Sequence, residues 1–324
     1  MGIKYLNKFL RENTQNSIRL ISMAELSGKK IAVDISIYMY KYESDNALIE
    51  NIYLMLSVFR YYNITAIFVF DGKPPAEKKD LLNKRRENKK EAEEEFKQLK
   101  KQLTENNMDE NEKQEIINSM DILKKQFVYI NKLKIEQIKR LIRAYGSTYF
   151  DAPGEADELC AQLVIKNKVW ACLSEDMDLF VYGCNRVLRY LSLLNHTAII
   201  YDLKRILEEL GISQKELREI CVLSGTDYNF VNNDKNALNL FKTLKLFKKY
   251  HKQKTTDDSS CFYEWINNNT NFIIDNDLLT SVYNMFDIEN KQHLSDFDYI
   301  KIINGHILRK EMKEILMEDG FIFE

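Results

Sequence analysis

The sequence predicts an α/β fold: a mostly parallel central sheet flanked by helices, with a helical insertion and a C-terminal helical region. Three observations predict it. Apolar, β-branched runs of strand length recur as far as Tyr201, amphipathic helical stretches lie between them, and beyond Tyr201 the pattern turns helical.

KIAVDISIY at 30–38 and TAIFVFDG at 65–72 read as buried parallel strands, because continuous apolar runs suit a sheet covered on both faces. A helix over 47–62 joins them. VWACLS at 169–174, RVLRYL at 186–191 and HTAIIY at 196–201 are the next strands, and a helix over 155–167 gathers Leu159, Leu163 and Val164 on one face. Between 76 and 145 the chain is strongly charged and poor in Gly and Pro, which predicts helices interrupted near NNMDEN at 106–111; Phe96, Leu99 and Leu103 do not sustain heptads, so a coiled coil is not expected. The segment is a helical excursion that leaves the sheet beside Asp71 and returns before Asp151. DLKRILEELG, SQKELREICVLSG and ALNLFKTLKLFKKY are helices expected to pack on the sheet, since no Pro- or Ser-rich linker precedes them. Beyond Asp257 the periodicity fades.

Five apolar stretches are followed by acids: Asp34, then Asp71, then Glu155 with Asp157, then Asp176 with Asp178, and finally Asp227. Side by side in one parallel sheet, these carboxylates converge at its carboxyl edge, where open α/β sheets place their ligands. So many crowded anions repel, which predicts divalent cations among them. Asp34 or Asp71 alone would fit a helix cap or a turn. Asp176 and Asp178, read on an extended strand, share one face. Glu155 and Asp157 reach one site only if Pro153 and Gly154 delay the helix and leave Glu155 in the turn; Asp151 and Glu158 compete with them on spacing. With only 10 Gly and 3 Pro in the chain, the turn-formers of DGKPP and DAPG are concentrated beside the acids.

The 324 residues suit a large α/β domain with insertions or two modest ones, and 45% hydrophobic with 30% charged content excludes disorder as the default. A net charge of −2 hides segregation: seven basic residues stand against Asp80 and Glu87 over 78–90, and six Lys against no acid over 241–254. Within the second run Lys242, Lys245, Lys249 and Lys252 form a stripe opposite Leu240, Leu244 and Phe247, fit for phosphate contact or for a solvated face. The 5 Cys are scattered without a CxxC pair, which excludes a disulfide framework and a zinc site and suits a nuclear or cytoplasmic compartment. No membrane span or signal peptide is legible, and Leu6 stands where a myristoylation signal needs Ser or Thr after Gly2.

MGIKYL, AVDISIYMY, FVFDGKPP, DAPGEADELCAQL, SEDMDLFVYG and LSGTDY, in this order over 1–228, resemble the signatures of the flap endonuclease family of structure-specific 5′ nucleases, of the XPG/Rad2 type. The resemblance implies a nuclease core over 1–228 with a helical arch over 76–145, a C-terminal region over 229–324, and two-metal phosphodiester hydrolysis with Mg²⁺, for which Mn²⁺ can substitute. Asp34, Asp71, Glu155 and Asp157 would hold chiefly one ion and Asp176, Asp178 and Asp227 the other, with Glu155 or Asp157 shared or acting through water. It further implies that Lys78 and Arg85, on one face of the first arch helix, neutralise the scissile phosphate, with Lys84 and Arg86 as neighbours for the phosphate backbone or solvent. Tyr40 matches a tyrosine that stacks on a base, with Tyr38 as its rival, and Gly2 a glycine close to the DNA.

The implied partner is DNA with a 5′ flap, a nick or a free 5′ end, cut by a monomer. A sliding clamp is a further implied partner, although no clamp-binding peptide of the Gln-led aromatic form is legible. Two departures stand out. The interval from Asp34 to Asp71 is short where the family builds its wedge and 3′-flap pocket, which removes the basis for a double-flap preference. After Asp227 the family carries a helix–two-turn–helix element whose Gly-x-Gly hairpin binds phosphates and K⁺, whereas here NFVNNDKNALNLF offers only Asn232 and Asn233 for left-handed backbone. A PIN-like RNA nuclease and a catalytically silent DNA-binding scaffold are the alternative functions.

Overall fold

Successive residues of the central strands point to opposite faces of one seven-stranded sheet, and each face has its own core. In the computed structural model, which describes residues 2–105, 110–229, 238–253, 261–272, 275–288, 291, 297 and 299–323, the strand order is β1-β7-β6-β5-β2-β3-β4. Helix α1 (Leu6–Asn13) precedes β1 (Ile18–Ser22) and β2 (Lys30–Asp34). Helices α2 (Ile35–Ser44) and α3 (Leu48–Tyr61) adjoin through a short turn and lead to β3 (Thr65–Phe70). Then come α4 (Lys79–Glu105), α5 (Glu110–Lys124), α6 (Lys132–Ala144), β4 (Thr148–Asp151), α7 (Ala156–Ile165), β5 (Ala171–Leu173) and α8 (Asp178–Tyr182). The sheet closes with β6 (Arg186–Ser192) and β7 (Thr197–Asp202), followed by α9 (Leu203–Leu210), α10 (Gln214–Ser224), α11 (Leu240–Gln253), α12 (Phe262–Asn269), α13 (Asn276–Met285) and α14 (Arg309–Glu318).

The sheet is mostly parallel: β2 pairs with β3 and β5, β3 with β4, and β5 with β6 in parallel, while β7 runs antiparallel to both β6 and β1. Ala32, Ile67, Val69 and Cys172 face a core completed by α1, α7, α8, α10, α11 and α12. Ile31, Val33, Phe68 and Leu173 face the other, completed by α2, α3, α6 and α14. The C-terminal helices therefore pack on the sheet, as their apolar faces predict.

Four features differ from the sequence reading. Strand β2 ends at Asp34, and ISIY, expected to continue it to residue 38, opens α2 instead. Strand β1 is an edge strand whose IRLIS sequence exposes Leu20 and so lacks the apolar run that reveals the others. Only α4 and α5 form the excursion, zipped by Phe96 against Phe127 with ring centroids 5.4 Å apart; α6 returns to the core, burying Ile138, Leu141 and Ile142. Strand β5 ends at Leu173, so Asp176 and Asp178 do not lie on an extended strand: Asp176 sits in the following turn and Asp178 opens α8. Of the interruption expected near 106–111, residues 106–109 lie outside the described residues and 110–111 already belong to α5; the Asn232–Asn233 turn also lies outside them.

The far end of the chain crosses the sheet's opposite edge. Gly305 N–H donates to Gly146 O at 2.7 Å, Leu308 N–H to Ala144 O at 2.7 Å, and Arg60 Nη2 clamps the carbonyls of Tyr145 and Gly305 at 2.8 Å each. Helix α14 then buries Ile315 and Leu316. Gly146 has φ +79°, and a Cβ there would lie 2.6 Å from Gly305 O, so only glycine permits the crossing.

Candidate metal and DNA-phosphate site

The carboxyl ends of β2, β3, β4 and β5 lie at one edge, and the turns there deliver the acids. Asp34 is the last residue of β2, and its Oδ2 accepts a 2.8 Å hydrogen bond from Ser174 Oγ, just past β5. Ser174 Oγ in turn accepts from Asp176 N at 3.1 Å, and Asp176 Oδ1 accepts from Asp178 N at 3.0 Å. DGKPP and DAPG meet where Gly72 N–H donates to Gly154 O at 2.7 Å; a Cβ on Gly72 would strike Ala152 O. Asp71 Oδ1 accepts from Ala156 N at 2.8 Å, which ties the end of β3 to the start of α7. Pro153 and Gly154 do delay α7: Glu155 is its extended N-cap residue, and Asp157 lies in the first turn. Asp227 arrives from the turn after α10, which Asn229 ties down by accepting from Thr226 N at 2.7 Å and donating to Val222 O at 2.8 Å.

Asp34, Asp157, Asp176, Asp178 and Asp227 are buried. Burial first, then the charge of Asp71, pushes the Asp34 carboxyl well above the usual range; burial and Glu155 do the same to Asp157, and burial and Asp176 to Asp178. Burial also raises Asp176, against the hydrogen bond from Asp178 N. Two cations answer this charge. Lys78 Nζ lies 2.5 Å from Glu155 Oε1 and 3.4 Å from Asp227 Oδ2, and Arg85 Nη2 lies 2.9 Å from Asp227 Oδ2. Burial pulls the Lys78 ammonium down, but Glu155, with Asp157 and Asp227, outweighs it and raises it. Lys78 closes a short 3-10 turn (Ala76–Lys78) and Arg85 lies on α4, so the pair does not share one continuous helical face; they meet because both bend toward Asp227.

Gly2 has φ +73°, and a Cβ there would collide with Asp178 Oδ1 and Asp176 Oδ1. The two carboxylates thus occupy the place a side chain on residue 2 would need. Tyr40 is exposed on α2, with the Lys89 ammonium of α4 4.8 Å from its ring centroid; Tyr38 is a core residue with 0% exposure. Lys84 is half-buried on α4, whereas Arg86 is exposed and lines a shallow surface pocket with Pro74, Pro75 and Lys79. Lys242, Lys245 and Lys249 are exposed on α11, opposite buried Leu240 and Phe247. The rival acids are engaged elsewhere: Asp151 is exposed and lies 2.8 Å from Lys139 Nζ, and Glu158 pairs with Lys291.

The donor set is all oxygen, which suits hard divalent cations. Asp178 Oδ1 is buried with no hydrogen-bond partner, an acceptor left for a cation. Among the described residues no group of three or more His, Cys, Asp or Glu side chains is arranged to hold one ion as they stand. The reason is local: Ser174, the Ala156 and Asp178 amides, Lys78 and Arg85 each draw a carboxylate toward themselves. The residues fit divalent cations in chemistry, since every donor is an oxygen and several are buried carboxylates. Sequence reasoning missed Ser174 and Tyr228, whose hydroxyl donates to Glu155 Oε2 at 2.6 Å.

The XPG N-terminal domain matches residues 1–92 and the XPG I-region residues 146–227. The chain belongs to the XPG family, whose two domains together match more than half of it. Both matches end by Asp227, as the ordered motifs do. Flap endonuclease 1 of Cryptosporidium parvum (strain Iowa II) is 30% identical over 285 residues, covering 78% of this chain and 54% of its own length. That of Trypanosoma brucei gambiense is 31% identical over 250 residues, covering 70% and 61%. The chain thus spans somewhat more than half the length of these relatives. The catalytic core of Rad2 in complex with DNA substrate has the same fold, with a TM-score of 0.66 at 21% identity over 98% of this chain and 94% of that one. No helix among the described residues of this XPG/Rad2-type chain is long and apolar enough to cross a membrane.

Proposed function

We propose that this chain is a Mg²⁺-dependent, structure-specific 5′ flap endonuclease with 5′→3′ exonuclease activity. It hydrolyses DNA phosphodiesters near single-strand/duplex junctions and leaves 5′-phosphate and 3′-hydroxyl ends. The observation that carries the reading is the meeting of acids from five separate chain segments with two cations, Lys78 and Arg85, carried by the segment that leaves the sheet beside them. The names of its relatives, flap endonucleases, support it.

Asp34, Asp71, Glu155 and Asp157 would hold one divalent ion and Asp176, Asp178 and Asp227 the second. When bound, such ions lower the pKa of water and stabilise charge on the phosphoryl oxygens. The chain's own groups do the rest. Lys78 and Arg85, now paired with Glu155 and Asp227, transfer their hydrogen bonds to the scissile phosphate and neutralise it. Tyr40 offers a ring face for the base beside the cut once Lys89 gives way. The lysines of α11 track the duplex phosphates.

Asp178→Ala is expected to abolish cleavage and leave DNA binding largely intact, measured with labelled 5′-flap, double-flap, nicked-duplex and RNA substrates in Mg²⁺. Mg²⁺-dependent cleavage retained by that variant would falsify the assignment. Preferential cleavage of RNA would replace it with an RNA nuclease, and binding without cleavage by the unmodified chain with a scaffold.

A further inference from the structure

Glu155 is gripped at both oxygens. Lys78 meets Oε1, while the Tyr228 hydroxyl donates to Oε2 at 2.6 Å. Behind Tyr228, Tyr182 Oη lies 3.1 Å from Tyr228 Oη. A phenol has one proton, and that of Tyr228 is committed to the carboxylate, so Tyr182 donates to Tyr228. Two buried hydroxyls thus form a directed chain that ends on Glu155.

The rings that carry this chain are walled in from the C-terminal region. Phe286, with 0% exposure, has its ring centroid 4.9 Å from that of Tyr182 and 5.3 Å from that of Tyr228. Lys291 pairs with Glu158 on α7 and places its ammonium 5.6 Å from the Tyr182 centroid. Neither phenol can swing away without displacing these neighbours.

We propose that Tyr228 is a positioning residue for divalent-cation binding, an inference that rests on the function proposed above. Its hydroxyl fixes Glu155 Oε2 and so presents Oε1, the oxygen that Lys78 now meets, to the cation; Tyr182 and Phe286 keep that hydroxyl in line. Partners that orient a ligating carboxylate in this way hold down the freedom the side chain would otherwise lose on binding.

The test uses the full chain and Mn²⁺ as the probe, followed by electron paramagnetic resonance, alongside thermal melting and flap cleavage as a function of Mg²⁺. Tyr228→Phe keeps the ring and removes only the hydroxyl. It is expected to weaken Mn²⁺ binding about 10-fold and to raise the Mg²⁺ needed for half-maximal cleavage by a similar factor. At saturating Mg²⁺ kcat recovers, and KM for DNA does not move. Tyr182→Phe weakens both less, because Tyr228 still reaches Glu155. In a Glu155→Gln background, Tyr228→Phe has no further effect on Mn²⁺ affinity. Unchanged Mn²⁺ affinity in Tyr228→Phe overturns the inference, whatever its melting temperature, and so does an additive loss in the Gln background. A wild-type chain that neither binds Mn²⁺ nor cleaves overturns the proposed function and this inference together; a wild type that does both, matched by Tyr228→Phe, overturns the inference alone.

Discussion

Gly2 and Lys78 show how single positions at this site are constrained. A Cβ on Gly2 would press on Asp176 and Asp178, and a non-glycine residue at φ +73° is strained by about 1–2 kcal/mol. Gly2→Ala is therefore expected to lose most flap cleavage while urea unfolding shows a stability drop of only that size; a fully active Gly2→Ala protein contradicts the placement. Lys78 is a buried cation between Glu155 and Asp227, and removing one partner of a buried ion pair costs about 3–5 kcal/mol. Lys78→Met should lose stability on that scale in a chelating buffer, and Mg²⁺ should restore part of it, a difference readable in melting curves. The acids themselves were legible, since charge at the end of an apolar run is conspicuous. Tyr228 was not, because its partner Glu155 lies 73 positions away and leaves no local pattern. Asp157 and Glu158, adjacent on α7, point about 100° apart around the helix, and Lys291 meets the second.

At the scale of elements, the strands buried on both faces announced themselves, while β1 did not: an edge strand needs no apolar run, and IRLIS exposes Leu20. The spacing of Asp176 and Asp178 reads as strand alternation, yet the chain turns at once into α8, and the Asp176 side chain caps the Asp178 amide instead. Helix α6 looked like part of the charged excursion because its outer face is charged; its inner face of Ile138, Leu141 and Ile142 belongs to the sheet. The crossing of 304–308 over 144–146 is the element whose integrity is most easily tested. Gly146→Ala brings both left-handed strain and a Cβ 2.6 Å from Gly305 O, so a loss of about 2–4 kcal/mol is expected in urea. Limited proteolysis should then cut first within 299–308; a variant as stable and as resistant as wild type would show that the crossing is not formed.

For the whole molecule, the buried carboxylates cost stability that a bound divalent cation would return, since any ligand of the folded state alone stabilises it by mass action. At a Mg²⁺ concentration near 100 times its dissociation constant the gain is about 2.7 kcal/mol, so the melting temperature should rise with Mg²⁺ and fall on chelation. A melting curve indifferent to Mg²⁺ and Mn²⁺ would argue against cation binding altogether. The same Arg60 side chain that clamps Tyr145 also clamps Gly305, a residue 245 positions further along. A chain emerging from the ribosome can therefore pair its central strands early, yet the edge beside Gly146 waits until Gly305 and Leu308 have been synthesised. A nascent chain stalled before Gly305 would therefore present α3 and α6 without the cover that α14 and the crossing give them, an exposed apolar surface of the kind chaperones bind.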